Sequence, residues 1–314
     1  MSKIPILFLV YNRLDCTKKS LNSILKYEPN KIYISCDGPK NNPLDKKKTN
    51  QVRRYIEKKT MKIKKVQFLF NKKNLGCKKS NLKALNWFFK KEKKGVILED
   101  DCVANQNFFS FCKSLLFKYK KNKKIYCISG SNFQSQPIDK NSYYFSKYNH
   151  CWGWATWSDR WRYNDGNIKF WPKLKENKNW KKLHRNNLER QYWEKIFDKV
   201  YKNRVDSWAY PWTLSVWKKN GLTITPNSNL VKNIGFGENS THSKFKLDKI
   251  TYKNKSKIND ILLHPKQIKA NNTADNLVFK NHFKGIEQLW PYKFFYLIKI
   301  LYIATFSFFR KLID

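Results

Sequence analysis

Apolar and polar residues alternate along the first hundred positions in two different rhythms. Ile4–Val10 is a continuous apolar run, as a strand covered on both faces requires. Leu14–Tyr27 follows with Leu14, Leu21, Ile24 and Leu25 at helical spacing. Lys31–Cys36 predicts a second strand, ending at the turn signal Asp37-Gly38-Pro39. A helix over Thr49–Lys59, a strand over Val66–Phe70, a helix over Ser80–Lys91 and a strand over Gly95–Leu98 complete the series. Strands alternating with helices predict a mostly parallel sheet flanked by helices.

Beyond Asn107 the rhythm weakens. Phe108–Tyr119 predicts a helix and Ile125–Ser129 a strand, whereas Tyr143–Pro172, rich in Trp, Tyr and Gly, predicts loops held by packing. Asn177–Asn203 is a polar helical stretch, and Val205–His242 alternates strand, helix and turn. Lys244–Asn281 is Lys- and Asn-rich and weakly patterned, as an arm or lid would be. In the tail, Phe294, Leu297, Ile298, Leu301, Thr305 and Phe308 recur at helical spacing. The uncharged run Ile300–Phe309 is too short for a span, which takes about 20 apolar residues. Its flanking Lys293, Lys299, Arg310 and Lys311 predict a helix lying in a membrane interface, with docking on the core as the alternative.

Composition changes this picture in one respect. The 314 residues are 41% hydrophobic and 16% aromatic, ample for a packed core, and carry a net charge of +42. Lys is spread through every segment rather than gathered into one arm, which fits biased residue usage better than a nucleic-acid footprint. The charge nevertheless favours diphosphates and anionic membrane surfaces. The seven Cys form no Cys-x-x-Cys pair, so neither a zinc ribbon nor a disulfide framework is indicated. No secretion signal is recognisable at the N-terminus, so the expected location is cytoplasmic, peripheral on the inner membrane if the tail binds lipid. No Gly-x-Gly-x-x-Gly or phosphate-loop motif supports a dehydrogenase or an ATPase.

Ligands in α/β sheets bind outside the carboxyl ends of strands. Three polar clusters fall there: Tyr11-Asn12-Arg13, Asp37, and Glu99-Asp100-Asp101. Three adjacent carboxylates repel unless a cation is present. Mg²⁺ or Mn²⁺ takes one or two carboxylates plus phosphate oxygens, so the triplet suits a nucleotide diphosphate. A solvated acidic turn is the simpler alternative, weakened because only 23 residues of the chain are acidic.

The succession Pro5–Arg13, Tyr33–Gly38, Asn74-Leu75-Gly76 and Val96–Asp101 resembles the donor half of GT-A glycosyltransferases. It is similar to family 2 enzymes and to the Glu-Asp-Asp type of the N-acetylglucosaminyltransferases. Cys151–Trp157, Asp206–Trp212 and Asn229–Gly237, with Thr241-His242 after it, resemble a bacterial branch of such transferases. The resemblance covers roughly residues 3 to 243. It implies a GT-A-like three-layer α/β/α sandwich over residues 1–243, with a donor half 1–107 and an acceptor half 108–243. The arm 244–288 and the helix 289–314 follow.

The resemblance further implies transfer of a hexosyl or N-acetylhexosaminyl group from a nucleotide-diphosphate sugar, a UDP-sugar by preference. The acceptor would be a glycan or lipid-linked molecule, as in polysaccharide biosynthesis. Tyr11, Arg13, Asp37, Gly76, Glu99 and Asp100 would contact the donor, and Asp101 and His242 would hold the metal. Asp206 would be the base of an inverting reaction, with Glu238 and Asp165 in reserve, and Trp154 and Trp208 would face the acceptor. Three structural alternatives stand beside these roles: an Asp-Gly turn for Asp37, a helix N-cap for Asp206 and core packing for the tryptophans. Two competing readings of the whole chain are a basic nucleic-acid-binding protein and an inactive membrane-associated scaffold.

Overall fold

A computed structural model describes residues 3–184, 186–235, 261–295 and 298. The elements of the first half are β1 (Ile6–Val10), α1 (Leu14–Lys26), β2 (Lys31–Cys36), α2 (Pro43–Thr60), β3 (Lys65–Phe70), α3 (Cys77–Lys91), β4 (Lys94–Glu99), β5 (Cys102–Ala104) and α4 (Gln106–Lys118). Then come β6 (Ile125–Ser129), β7 (Tyr143–Ser146), β8 (Trp154–Trp157), α5 (Ser158–Trp161), α6 (Trp171–Glu176), α7 (Lys178–Leu183) and α8 (Asn187–Tyr201). The last are α9 (Ala209–Lys218), β9 (Leu222–Pro226), β10 (Val231–Asn233) and α10 (Asn272–Leu277), which runs into a π-helical turn at Val278–His282.

Eight strands form one sheet in the order β3-β2-β1-β4-β8-β6-β9-β7. β1 to β4 are mutually parallel, as the alternation requires. β8 enters antiparallel between β4 and β6, and β7 closes the far edge antiparallel to β9. The sheet is therefore mostly parallel and covered on both faces. Along β1 the pleat sends Ile6, Phe8 and Val10 to one face and Leu7 and Leu9 to the other. The first face packs under α1, α2 and α4 through Leu21, Ile24, Val52, Ile56 and Leu115. The second packs under α3 and the tryptophan-rich helices α6 to α9.

Two expectations are corrected. α2 starts at Pro43 rather than Thr49, because the Asn42 side chain accepts from the Asp45 amide and Pro43 fits the first helical turn. Tyr143–Pro172 is not simply loop, since it supplies β7, β8 and α5 and the start of α6. All residues of β7 and β8 are buried, so neither strand shows the apolar-polar alternation that marks a half-exposed one. In the stretch expected to be an arm or lid, Ala274, Asp275, Val278 and Phe279 are buried in the body.

Candidate active site

The chain runs from β1 outward to β2 and β3, then returns to place β4 on the other side of β1. The β1/β4 boundary is thus the point where the strand order reverses, and sheets of this kind bind ligands in the crevice beyond the carboxyl ends there. Arg13, three residues past β1, reaches across it. Its guanidinium hydrogen-bonds the Asp100 carboxylate and donates to Asp101 Oδ2 at 2.8 Å. One arginine faces three carboxylates. Burial, with the charges of Asp101 and Asp100, raises the Glu99 pKa to about 8. Burial also raises Asp100 to about 6, against the pull of Arg13. The indole of Trp208 lies within hydrogen-bonding reach of Glu99.

A short second sheet locks the acidic triplet to a motif 130 residues away. β5, directly after Asp101, pairs antiparallel with β10 in the register Cys102↔Asn233. The Ile234 amide donates to the Asp101 carbonyl at 2.8 Å, and Asn233 Nδ2 donates to Asp101 Oδ1 at 3.3 Å. Gly235 lies so close that a Cβ there would meet Asp101 Oδ2 at 2.1 Å. The glycine is required because the backbone forms one wall of the carboxylate's site.

Asp37 ends β2 and is buried. Its oxygens accept from the amides of Gly38 at 2.8 Å and of Leu75 and Gly76 at 3.1 Å. They also accept from Nδ2 of Asn71 and Asn74, each at 3.1 Å. The carboxylate thus fastens the 71–76 loop against β2 and sets Gly76, with φ of 81°, as the turn into α3. Arg53 secures the same loop by donating to the carbonyls of Asp37 and Asn71. The Tyr11 hydroxyl donates to Asp45 Oδ2 at 2.6 Å, and Asn12 binds the other oxygen. Asp45, Arg53 and Asn71 were missed from sequence, and Asn74 was marked only as part of the Asn74-Leu75-Gly76 motif. A capping signal at Asn42-Pro43 marked the neighbourhood of Asp45, and nothing periodic marked the rest.

Asp206 accepts from the amides of Cys77 at 3.0 Å and Lys78 at 2.8 Å. Gly76, at the N-cap of α3, has no side chain to do this, so Asp206 caps the helix from 129 residues away. That places its carboxylate beside Gly76 at the rim of the crevice. Asp165 caps its own turn, accepting from the amides of Asn167 and Lys169. Trp154 and Trp208 are 0% and 3% exposed and stack on each other with ring centroids 5.5 Å apart. Both are core residues, with no free face for an acceptor. Trp152, two residues before β8, is only partly buried and packs beside Phe133 with ring centroids 5.0 Å apart. His242 and Glu238 lie outside the described residues.

Among the described residues no three His, Cys, Asp or Glu side chains converge on one point. A closed, all-protein cage is therefore not formed there. A hard cation completed by phosphate oxygens needs only one or two carboxylates, and buried Asp101, in a cluster with excess negative charge, fits that requirement.

The open, mostly parallel sheet with an acidic triplet at its switch point is the GT-A-like α/β architecture that the sequence led to expect. The chain belongs to the GNT-I family, a glycosyltransferase family whose model matches residues 1–199. No curated protein matches the sequence. Among solved structures, TarS 1-349 of S. aureus is similar at 11% identity and a TM-score of 0.43, over 73% of this chain and 59% of that one. GalNAc-T7, solved with UDP, GalNAc and Mn²⁺, is similar at 11% identity and a TM-score of 0.43, over 72% of this chain and 43% of that one. The mannosyltransferase PcManGT from Pyrobaculum calidifontis, in complex with GDP-Man and Mn²⁺, is similar at 10% identity and a TM-score of 0.38, over 70% of each chain.

Proposed function

We propose that the protein transfers a hexosyl or N-acetylhexosaminyl group from a nucleotide-diphosphate sugar, with a UDP-sugar as the first candidate. The acceptor is a glycan or lipid-linked molecule. The observation that carries the reading is the meeting of Arg13, Asp100 and Asp101 at the switch point, walled by Gly235. A nucleoside lies over the loops held by Asp37 and Tyr11, and Gly76 lets the 71–76 backbone approach it. Asp100 holds ribose or sugar, Arg13 frames the base or phosphates, and Glu99 stands on the donor side next to Trp208.

Asp101 is the described residue that would hold Mn²⁺ or Mg²⁺, with His242 a second ligand on the family resemblance. When bound, the cation stabilises the negative charge that develops on the departing diphosphate. Arg13, which bridges Asp100 and Asp101, is the cation that would meet a donor phosphate. In an inverting displacement the acceptor hydroxyl attacks the anomeric carbon as the diphosphate leaves, and its proton passes to a base. Asp206 is the carboxylate proposed for that step, held at the crevice rim by the α3 amides.

Turnover of a panel of nucleotide sugars with Mn²⁺ tests the reading. One donor should be consumed in a metal-dependent way, and no metal-dependent consumption of any donor would overturn it. Asp206→Asn separates base from cap. Asn keeps one of the two acceptor oxygens for the helix amides but cannot take a proton, so transfer should fall about 100-fold or more while the melting temperature falls no further than in Asp206→Ala. Turnover within a few-fold of wild type would leave Asp206 as a cap alone.

A further inference from the structure

The end of α8 and the start of the tail form a second charged region, outside the crevice. Lys195, Lys199 and Lys202 recur at i, i+4 and i+7 and so share one helix face. With Arg204, Lys293 and Trp290 they line a cavity of about 400 Å³. None of these five cations forms an ion pair among the described residues. Asp198 lines the same cavity, but Lys175 holds its carboxylate at 2.9 Å and Trp171 Nε1 donates to it at 2.8 Å.

Beside this basic wall the chain exposes aromatic surface. Leu289 is buried and anchors the segment in the core, yet Trp290 is 73% exposed and Phe295 63%. Tyr292, Phe294 and Ile298 are each about half exposed. An isolated exposed aromatic needs no explanation, but five apolar side chains within nine residues form a patch that water solvates poorly. Ring systems with a polar handle next to long cationic side chains match the chemistry of a bilayer interface. Trp and Tyr settle at headgroup depth, while Lys and Arg meet lipid phosphates. No helix among the described residues is long and apolar enough to cross a membrane.

We propose that this basic cavity and aromatic ridge form a docking surface for a bilayer of anionic phospholipid. The five cations engage lipid phosphates, and Trp290, Phe294 and Phe295 insert among the headgroups. The surface is built from residues that take no part in the donor site, so binding and transfer are separable.

Flotation of the full chain with phosphatidylcholine vesicles, with and without phosphatidylglycerol, tests this. The wild type should float with the anionic vesicles only, and less so at high salt. The variant Lys195→Gln/Lys199→Gln/Lys202→Gln should bind them about a hundredfold more weakly, at roughly fivefold per charge removed. The variant Trp290→Ser/Phe294→Ser/Phe295→Ser should lose the binding that persists in salt. Both should bind nucleotide sugar as the wild type does. Equal flotation with neutral vesicles, or unchanged affinity in the charge variant, would overturn the proposal. So would a variant set that abolishes binding of a single-stranded RNA but leaves vesicle binding intact.

Discussion

The two halves of the molecule use their polar and aromatic residues in opposite ways. Around β1 to β4 the strands mix aliphatic residues with Phe8, Tyr33, Phe68 and Phe70 in a regular pattern, and the polar residues at the strand ends form a dense hydrogen-bonded network. From β7 to α9 the core is aromatic, with Trp154, Trp171, Trp180, Trp193 and Trp212 fully buried. Trp193 and Phe197 stack with centroids 5.6 Å apart, and Trp154 stacks on Trp208. The lesson is that residue type alone does not mark function. In the first half a buried carboxylate such as Asp37 is a structural fastener, and in the second a tryptophan motif that looks made for sugars is the core itself.

Mutations that cross the comparison test it, and the largest effect is expected in the aromatic core. Trp154→Ala should lower stability by about 3–5 kcal/mol, read as a fall in denaturant midpoint. Acceptor KM of the folded fraction should stay near wild type, and a raised KM without lost stability would restore the platform role.

Gly235→Ala probes the opposite half. A methyl group directed at Asp101 Oδ2 must move the carboxylate or the β10 strand, so donor affinity should fall at least about tenfold, worth roughly 1.4 kcal/mol. Calorimetry reads this, and unchanged affinity would mean that Asp101 tolerates displacement.

His184 gives the second half a pH signature. Burial depresses its pKa to about 3, and neither ring nitrogen has a hydrogen-bond partner among the described residues. The unfolded chain protonates this histidine near pH 6.5 while the folded chain keeps it neutral. Its contribution is therefore complete above pH 6.5 and lost as pH falls toward 3, by about 2 kcal/mol at pH 5. Comparing denaturant midpoints of the wild type and His184→Phe at pH 7 and pH 5 should show a smaller acid loss in the variant. Parallel losses would contradict the assignment.

The smallest effect belongs to the link between halves. Asp206→Ala removes the side-chain cap of α3 and should lower stability by about 1 kcal/mol, visible in thermal unfolding. No change would mean that solvent satisfies the Cys77 and Lys78 amides equally well.

The parallel half was legible because each of its strands and helices carries a hydrophobic period and ends at a turn or acidic signal. Lys31–Cys36 and Ile125–Ser129 were read to the residue. β7 and β8 were not, because strands buried on both faces lose their alternation and aromatic content alone does not separate strand from loop. Nor does chain order reveal that β8 inserts antiparallel between β4 and β6. At the site, the strand-end position of the triplet was visible, and the structure brings Arg13 to it as a bridge. Asp37 and Asn74 were each marked, but their pairing was not legible, because Asn71 and Asn74 lie 34 and 37 residues away in an aperiodic loop. The bond from Asp206 to α3 spans 129 residues and leaves no local trace beyond a cap-forming residue type.

The central claim is that Asp101 turns the edge of this sheet into a metal-dependent donor site. Titration calorimetry with the nucleotide sugar the protein turns over, with and without Mn²⁺, tests it on the wild type and on Asp101→Asn. Asn preserves shape and removes the charge. The wild type should bind in a Mn²⁺-dependent way and the variant at least about 100-fold more weakly, near 3 kcal/mol, at the same melting temperature. Equal Mn²⁺-dependent affinity in both proteins would contradict it.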